Sequence, residues 1–145
     1  MKKFLILALV FGSVFGLLNC GGWHKSPEKR AEWVVKKISS ELDLNDSQKK
    51  ELERMKGEYL AKRKELKMEI SETDIADFQA IVKKDKLDDA KFDKMIDEKF
   101  SKRNEMRKFL QKKFSEFHAI LDAKQKEKLS EKLGKMMRKH HHEIH

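Results

Sequence analysis

Apolar residues recur three and four positions apart through most of the chain, which is the period of a helix buried along one face. No run after the first eighteen residues alternates with the period of two that a half-buried strand needs. Ser26-Pro27-Glu28-Lys29 reads as an N-cap with proline at the first helical position. The helix it starts runs to about Glu41 and carries Ala31, Val34, Val35 and Ile38 on one stripe. A second helix is expected from Asp46 to Ile70, with Leu52, Met55, Tyr59 and Leu66 along its apolar side. Gly57 sits inside it, either as a close-packing point or as a plain weakness of roughly 1 kcal/mol relative to alanine. Ser71 to Asp74 supplies caps for a short helix holding Ile75, Phe78, Ile81 and Val82. After a turn at Asp85–Asp88, one long helix spans Asp89 to Ile120, about 48 Å at 1.5 Å per residue. A last helix follows Asp122 and carries Leu129, Leu133, Met136 and Met137. The expected fold is all-α, four to five helices in an open curved hairpin around one long central helix.

Two of these helices begin on the same phrase. Leu44-Asn45-Asp46-Ser47-Gln48 precedes the second helix, and Leu121-Asp122-Ala123-Lys124-Gln125 precedes the last. Asn45 and Asp122 are strong N-cap types, because a side-chain oxygen there accepts from an orphan N–H of the first turn. Gln48 and Gln125, three residues on, can each reach back to the cap's own N–H and complete a capping box. One such box is common among helices; two in matching flanks form a repeat.

This pair resembles the LTxxQ repeat of the Spy/CpxP family, small all-helical periplasmic proteins that act as chaperones or metal-responsive stress proteins. Asn45 and Asp122 stand where the motif has threonine, and they do the same capping work. The resemblance spans roughly Trp33 to Met137 and includes the long charged helix. It implies an antiparallel, cradle-like homodimer built through that helix.

The start of the chain changes the setting. Lys2-Lys3 and the apolar run Phe4 to Leu18 form an export signal, too short to span a bilayer comfortably. Leu17-Leu18-Asn19-Cys20-Gly21 looks like a lipobox, with Asn19 in place of the usual small residue. Residues 1–19 are therefore expected as a lipoprotein signal peptide, 20–26 as a tether, 27–139 as the helical domain and 140–145 as a histidine-rich tail. Cys20 is the only cysteine, which fits a lipid anchor and leaves no internal disulfide. The expected location is the bacterial cell envelope, lipid-anchored and facing the periplasm. Charged residues make up 41% of the chain and the net charge is +9, so thin helices sharing a seam suit it better than a thick core. A basic chain invites a nucleic-acid partner, but export and the lack of any nucleic-acid motif argue against one.

Catalytic chemistry finds little footing: there is no phosphate loop, no nucleophile with a base and no HExxH. Three groups of side chains bear on binding instead. His140, His141, His142 and His145 gather four imidazoles in the last six residues, and a continued helix puts His141 and His145 one turn apart. Such a pair suits Zn²⁺, Ni²⁺ or Cu²⁺, so the tail is a candidate metal site although no cofactor is required. Methionine and phenylalanine surfaces adapt to many partners, and Arg103, Met106, Phe109 and Lys113 combine them with cations on the long helix. These four are the candidate contact for unfolded or misfolded envelope proteins. Three functions stay open: the first is an ATP-independent envelope holdase using that surface, and the second a periplasmic metal-binding stress sensor or scavenger using the tail. A structural or adhesive surface lipoprotein is the third.

Overall fold

A computed structural model describes residues 26–142. Five helices are present among them: α1 Pro27–Glu41, α2 Asp46–Glu65, α3 Glu72–Val82, α4 Asp89–Ile120 and α5 Ala123–His142. No strand occurs among the described residues, so the fold is all-α as expected.

Each helix starts where a short polar side chain takes an orphan N–H. Ser26 accepts from the Lys29 N–H at 3.4 Å and Pro27 occupies the first helical position. Ser71 and Asp74 form a reciprocal box at the head of α3. Asp88 accepts from the Lys91 N–H at 3.2 Å and starts the long helix at Asp89. The long helix then runs without a break to Ile120, where Leu121 turns extended at ψ 141°.

Two helix ends use a left-handed residue other than glycine. At the end of α1, Asp43 has φ 51°, the Leu42 N–H returns to the Ile38 carbonyl and the Leu44 N–H to that of Ser39. At the end of α2, Lys67 has φ 48° and the Met68 N–H bonds the Arg63 carbonyl at 3.1 Å. Both are six-to-one closures of the kind that satisfy the last carbonyls of a helix. The second corrects the sequence expectation: α2 stops at Glu65, five residues before Ile70, because the chain reverses through Lys67. Gly57 is not a close-packing point, since a Cβ built there meets nothing within 4 Å.

α1 packs on α2, α2 on α4, and α3 on α4. α2 and α4 run antiparallel: Arg54 pairs with Glu116, Glu58 with Lys113 and Lys62 with Glu105. The core lies at one end of this pair, where the α1–α2 and α4–α5 turns meet. Leu42, Leu44, Leu52, Met55, Phe117 and Leu121 form it, joined by Val35 and flanked by Ile120 and Leu129. Leu42 is the most enclosed large side chain, 2% exposed. The opposite end, around α3, has one buried hydrophobic side chain of its own, Ile81.

Candidate functional site

The two repeat phrases meet inside the core. The Asn45 side chain accepts from the Gln48 N–H at 2.9 Å, and the Gln48 Oε1 accepts from the Asn45 N–H at 3.0 Å. Asp122 and Gln125 repeat this at 2.8 and 3.0 Å. Both capping boxes expected from sequence are thus formed. Sequence did not show what the glutamines do next. Gln48 and Gln125 are buried polar residues, and their carboxamides bond each other reciprocally: Gln48 Nε2 donates to Gln125 Oε1 at 2.7 Å and Gln125 Nε2 to Gln48 Oε1 at 2.9 Å. Gln48 Nε2 also donates to the Ile120 carbonyl at 2.7 Å, and Gln125 Nε2 to the Asp43 carbonyl at 3.5 Å.

The arrangement is internally two-fold. Asn45, Gln48 and Asp43 correspond to Asp122, Gln125 and Ile120, each pair displaced by the same number of residues. Each carboxamide uses two donors and two acceptor positions, so the pair is fully satisfied despite burial. A satisfied buried network fixes register, and a half-satisfied one is costly. This one ties the start of α2 to the start of α5 and holds the two turns together. Lys128 pairs with Asp43, and Lys132 with Glu41 at 3.3 Å, outside the lock. The Lys128 hydrogen bond and charge hold the Asp43 carboxyl below its ordinary range.

Along the α2–α4 seam, charge is spent internally. Lys113 bonds Glu116 at 2.7 Å and also pairs with Glu58. Those two carboxylates raise the Lys113 pKa, and the lysine lowers both of theirs. Of the four candidate client contacts, Met106 is buried against the interior and Lys113 is committed to this network, its ammonium 5.6 Å from the half-buried Phe109 ring. Arg103 alone stands exposed. The four therefore do not share one open surface.

Phe100 is exposed on α4, but most of the exposed large apolar side chains lie elsewhere. Ile70, Ile75, Phe78, Val82 and Leu87 cluster in the arm around α3, with Ile70 74% exposed. Ile75, Phe78 and Val82 share one edge of α3 at helical spacing. The arm is held to α4 by Lys99 on Asp74 at 2.8 Å and by Phe78 against Phe92, ring centroids 6.5 Å apart. The Lys99 and Ser71 hydrogen bonds keep the Asp74 carboxyl well below its ordinary range. The signal for this patch was present in the sequence, because the apolar width of α3 exceeds what one neighbouring helix covers.

α5 continues through His142, so the backbone stays helical across the boundary expected after residue 139. His145, Cys20 and the export signal lie outside the described residues. Among the described residues no three His, Cys, Asp or Glu side chains are placed to hold a metal ion, and no helix is long and apolar enough to cross a membrane.

Searches of curated proteins and of solved structures found no match. The LTXXQ motif family protein description matches residues 30–133, which takes in both glutamines, both caps and the whole of α4. The match spans most of an all-helical chain and both of its capping boxes, so the chain belongs to the LTXXQ motif family.

Proposed function

We propose that the protein is an ATP-independent holdase of the bacterial envelope, anchored through a lipidated Cys20, which binds unfolded or misfolded proteins and performs no catalysis. The observation that carries this reading is the α3 arm. A chain that is 41% charged leaves five large apolar side chains exposed between residues 70 and 87. Ile75, Phe78 and Val82 share one edge of α3, and exposed apolar surface of this kind marks an interaction site. Lys83 and Lys86 stand exposed beside it, so apolar and anionic stretches of a client both find a partner. The core lies at the other end, which leaves the arm free to adapt without loosening the fold. Aggregation of a denatured model protein in the presence of the processed chain is the direct test. Suppression at near-stoichiometric ratio supports the reading, and unaltered aggregation rejects it.

The metal-binding reading has its own support in a helix that carries His140, His141 and His142 at its end. Deleting residues 140–145 separates the two. The holdase reading predicts intact aggregation suppression without metal; the metal reading predicts loss of high-affinity zinc, nickel or copper binding and of any activity that depends on it.

A further inference from the structure

α1 buries Ala31, Val34 and Val35 and turns Trp33 outward, 46% exposed. The charges of this helix are sorted around that ring. At about 100° per residue, all four cations of α1, Lys29, Arg30, Lys36 and Lys37, lie within about 60° of Trp33 around the helix. Glu28 and Glu32 lie about 100° or more away, and Glu41 is paired with Lys132. Lys29, Lys36 and Lys37 are exposed and Arg30 is half-buried. Lys37 holds its ammonium 4.8 Å from the Trp33 ring centroid. The ion pairs among the described residues engage none of these three lysines. α1 is also the helix into which the expected anchor leads. Cys20 stands six residues before Ser26, so even a fully extended link holds the head of α1 within about 20 Å of the bilayer. Trp33 lies about 10 Å further along the helix.

We propose that this outer face of α1 docks on the anionic lipid surface that holds Cys20, with Trp33 at headgroup level and the lysines against lipid phosphates; the proposal rests on the lipid-anchor reading. Tryptophan suits a membrane–water interface, because its ring is apolar while its N–H stays polar. The lysine stems lie along apolar surface and carry their ammonium groups out to anionic headgroups. Four cations and one ring are a weak membrane ligand when free in solution. The anchor changes that, since a short tether makes the contact intramolecular and raises its effective concentration. The sorting of charge selects the occupant. A second copy of the same face sets cation on cation, whereas a negative lipid surface meets the ring and its cations together and leaves Glu28 and Glu32 on the flank. Docked in this way, α1 lies along the bilayer rather than swinging on its tether. The α3 arm takes no part in the contact.

The test couples the processed chain, residues 20–145 carrying Trp23→Phe, through its single Cys20 thiol to a maleimide lipid in vesicles. Trp33 is then the only tryptophan, and the anchor is present whether or not cells acylate Cys20. The vesicles contain brominated phosphatidylcholine as a quencher. With phosphatidylglycerol included, Trp33 emission is expected to shift to the blue and to be quenched. On phosphatidylcholine alone, or at about 1 M salt where the Debye length is about 3 Å, most of that quenching is expected to be lost. Lys36→Glu/Lys37→Glu is expected to lose it as well, with helicity checked by circular dichroism. Should that variant unfold, the salt series decides. Quenching that is absent, equal on neutral and anionic vesicles, or unchanged in the folded double variant overturns the proposal and leaves the anchor standing. A Trp33 shift that appears with denatured client or at raised chain concentration, and not on anionic vesicles, overturns it in favour of a client or a second copy. Processed protein recovered from the aqueous phase of a detergent partition overturns the anchor, and the proposal with it.

Discussion

The two ends of the α2–α4 pair solve opposite problems with similar material. At the repeat end, polar atoms are buried and every one of them finds a partner: the carboxamides of Gln48 and Gln125 hold each other, two cap N–H groups and two carbonyls. At the arm end, apolar atoms are exposed and lack cover, from Ile70 through Leu87. The difference shows how a thin, charged chain separates rigidity from stickiness. A lock of neutral amides sets the geometry at one end, and the other end is left with surface to offer. Local stability is expected to follow the same gradient, since regions with few buried apolar contacts open first.

The comparison breaks most sharply at the lock. Gln48→Ala or Gln125→Ala strips the opposite carboxamide of one donor and one acceptor, leaves a cap N–H and a carbonyl without their partner and opens a cavity, for an expected loss of about 2–4 kcal/mol. Replacing both removes the orphan along with its partner, so the double variant is expected to lose much less than the sum. Denaturant unfolding of the three variants checks this. The caps come next. Asn45→Ala and Asp122→Ala are each expected to lose about 0.5–2 kcal/mol, read as a lower melting temperature. Changes in the opposite direction sharpen the picture. Gly57→Ala fills open space on an exposed helical face and is expected to gain roughly 1 kcal/mol. Lys67→Gly relieves a left-handed backbone and is expected to gain a comparable amount.

Acid gives the smallest and most selective effect, because exposed ion pairs contribute little. The Asp74, Glu58 and Glu116 carboxyls are all held below their ordinary values of 3.8, 4.5 and 4.5. Each therefore contributes stability that is complete above its ordinary value and is lost as pH falls through the lowered one. The paired carboxamides of Gln48 and Gln125 carry no ionisable group. Amide exchange between pH 5 and pH 3 is expected to rise around α3 and along the α2–α4 seam before it rises at residues 44–52 and 121–129.

Much of this was legible in the sequence where the cause is local. Ser26-Pro27, Asn45, Ser71, Asp88 and Asp122 each announce a helix start within four residues, and all five starts formed. The limits of α4 were readable for the same reason. The end of α2 was not, because Lys62 to Glu65 are good helix formers and Lys67 carries no glycine-like signal for a left-handed turn. The amide pair was hidden too, since each glutamine looks complete within its own capping box. The candidate client residues were chosen by composition along α4, and composition does not say which face points inward. Met106 turned inward and Lys113 paired across to Glu58 of α2, while Arg103 remained outside.

The central claim is that the repeat end is scaffold and the α3 arm is working surface. It is tested most directly by aggregation suppression with an Ile70→Ser/Ile75→Ser/Val82→Ser variant. These exposed residues contribute little to folding, so melting is expected to stay within about 0.5 kcal/mol per site of the parent. The account predicts that this variant, folded as before, loses most of its capacity to hold a denatured client. A variant that melts like the parent and still suppresses aggregation equally well contradicts it.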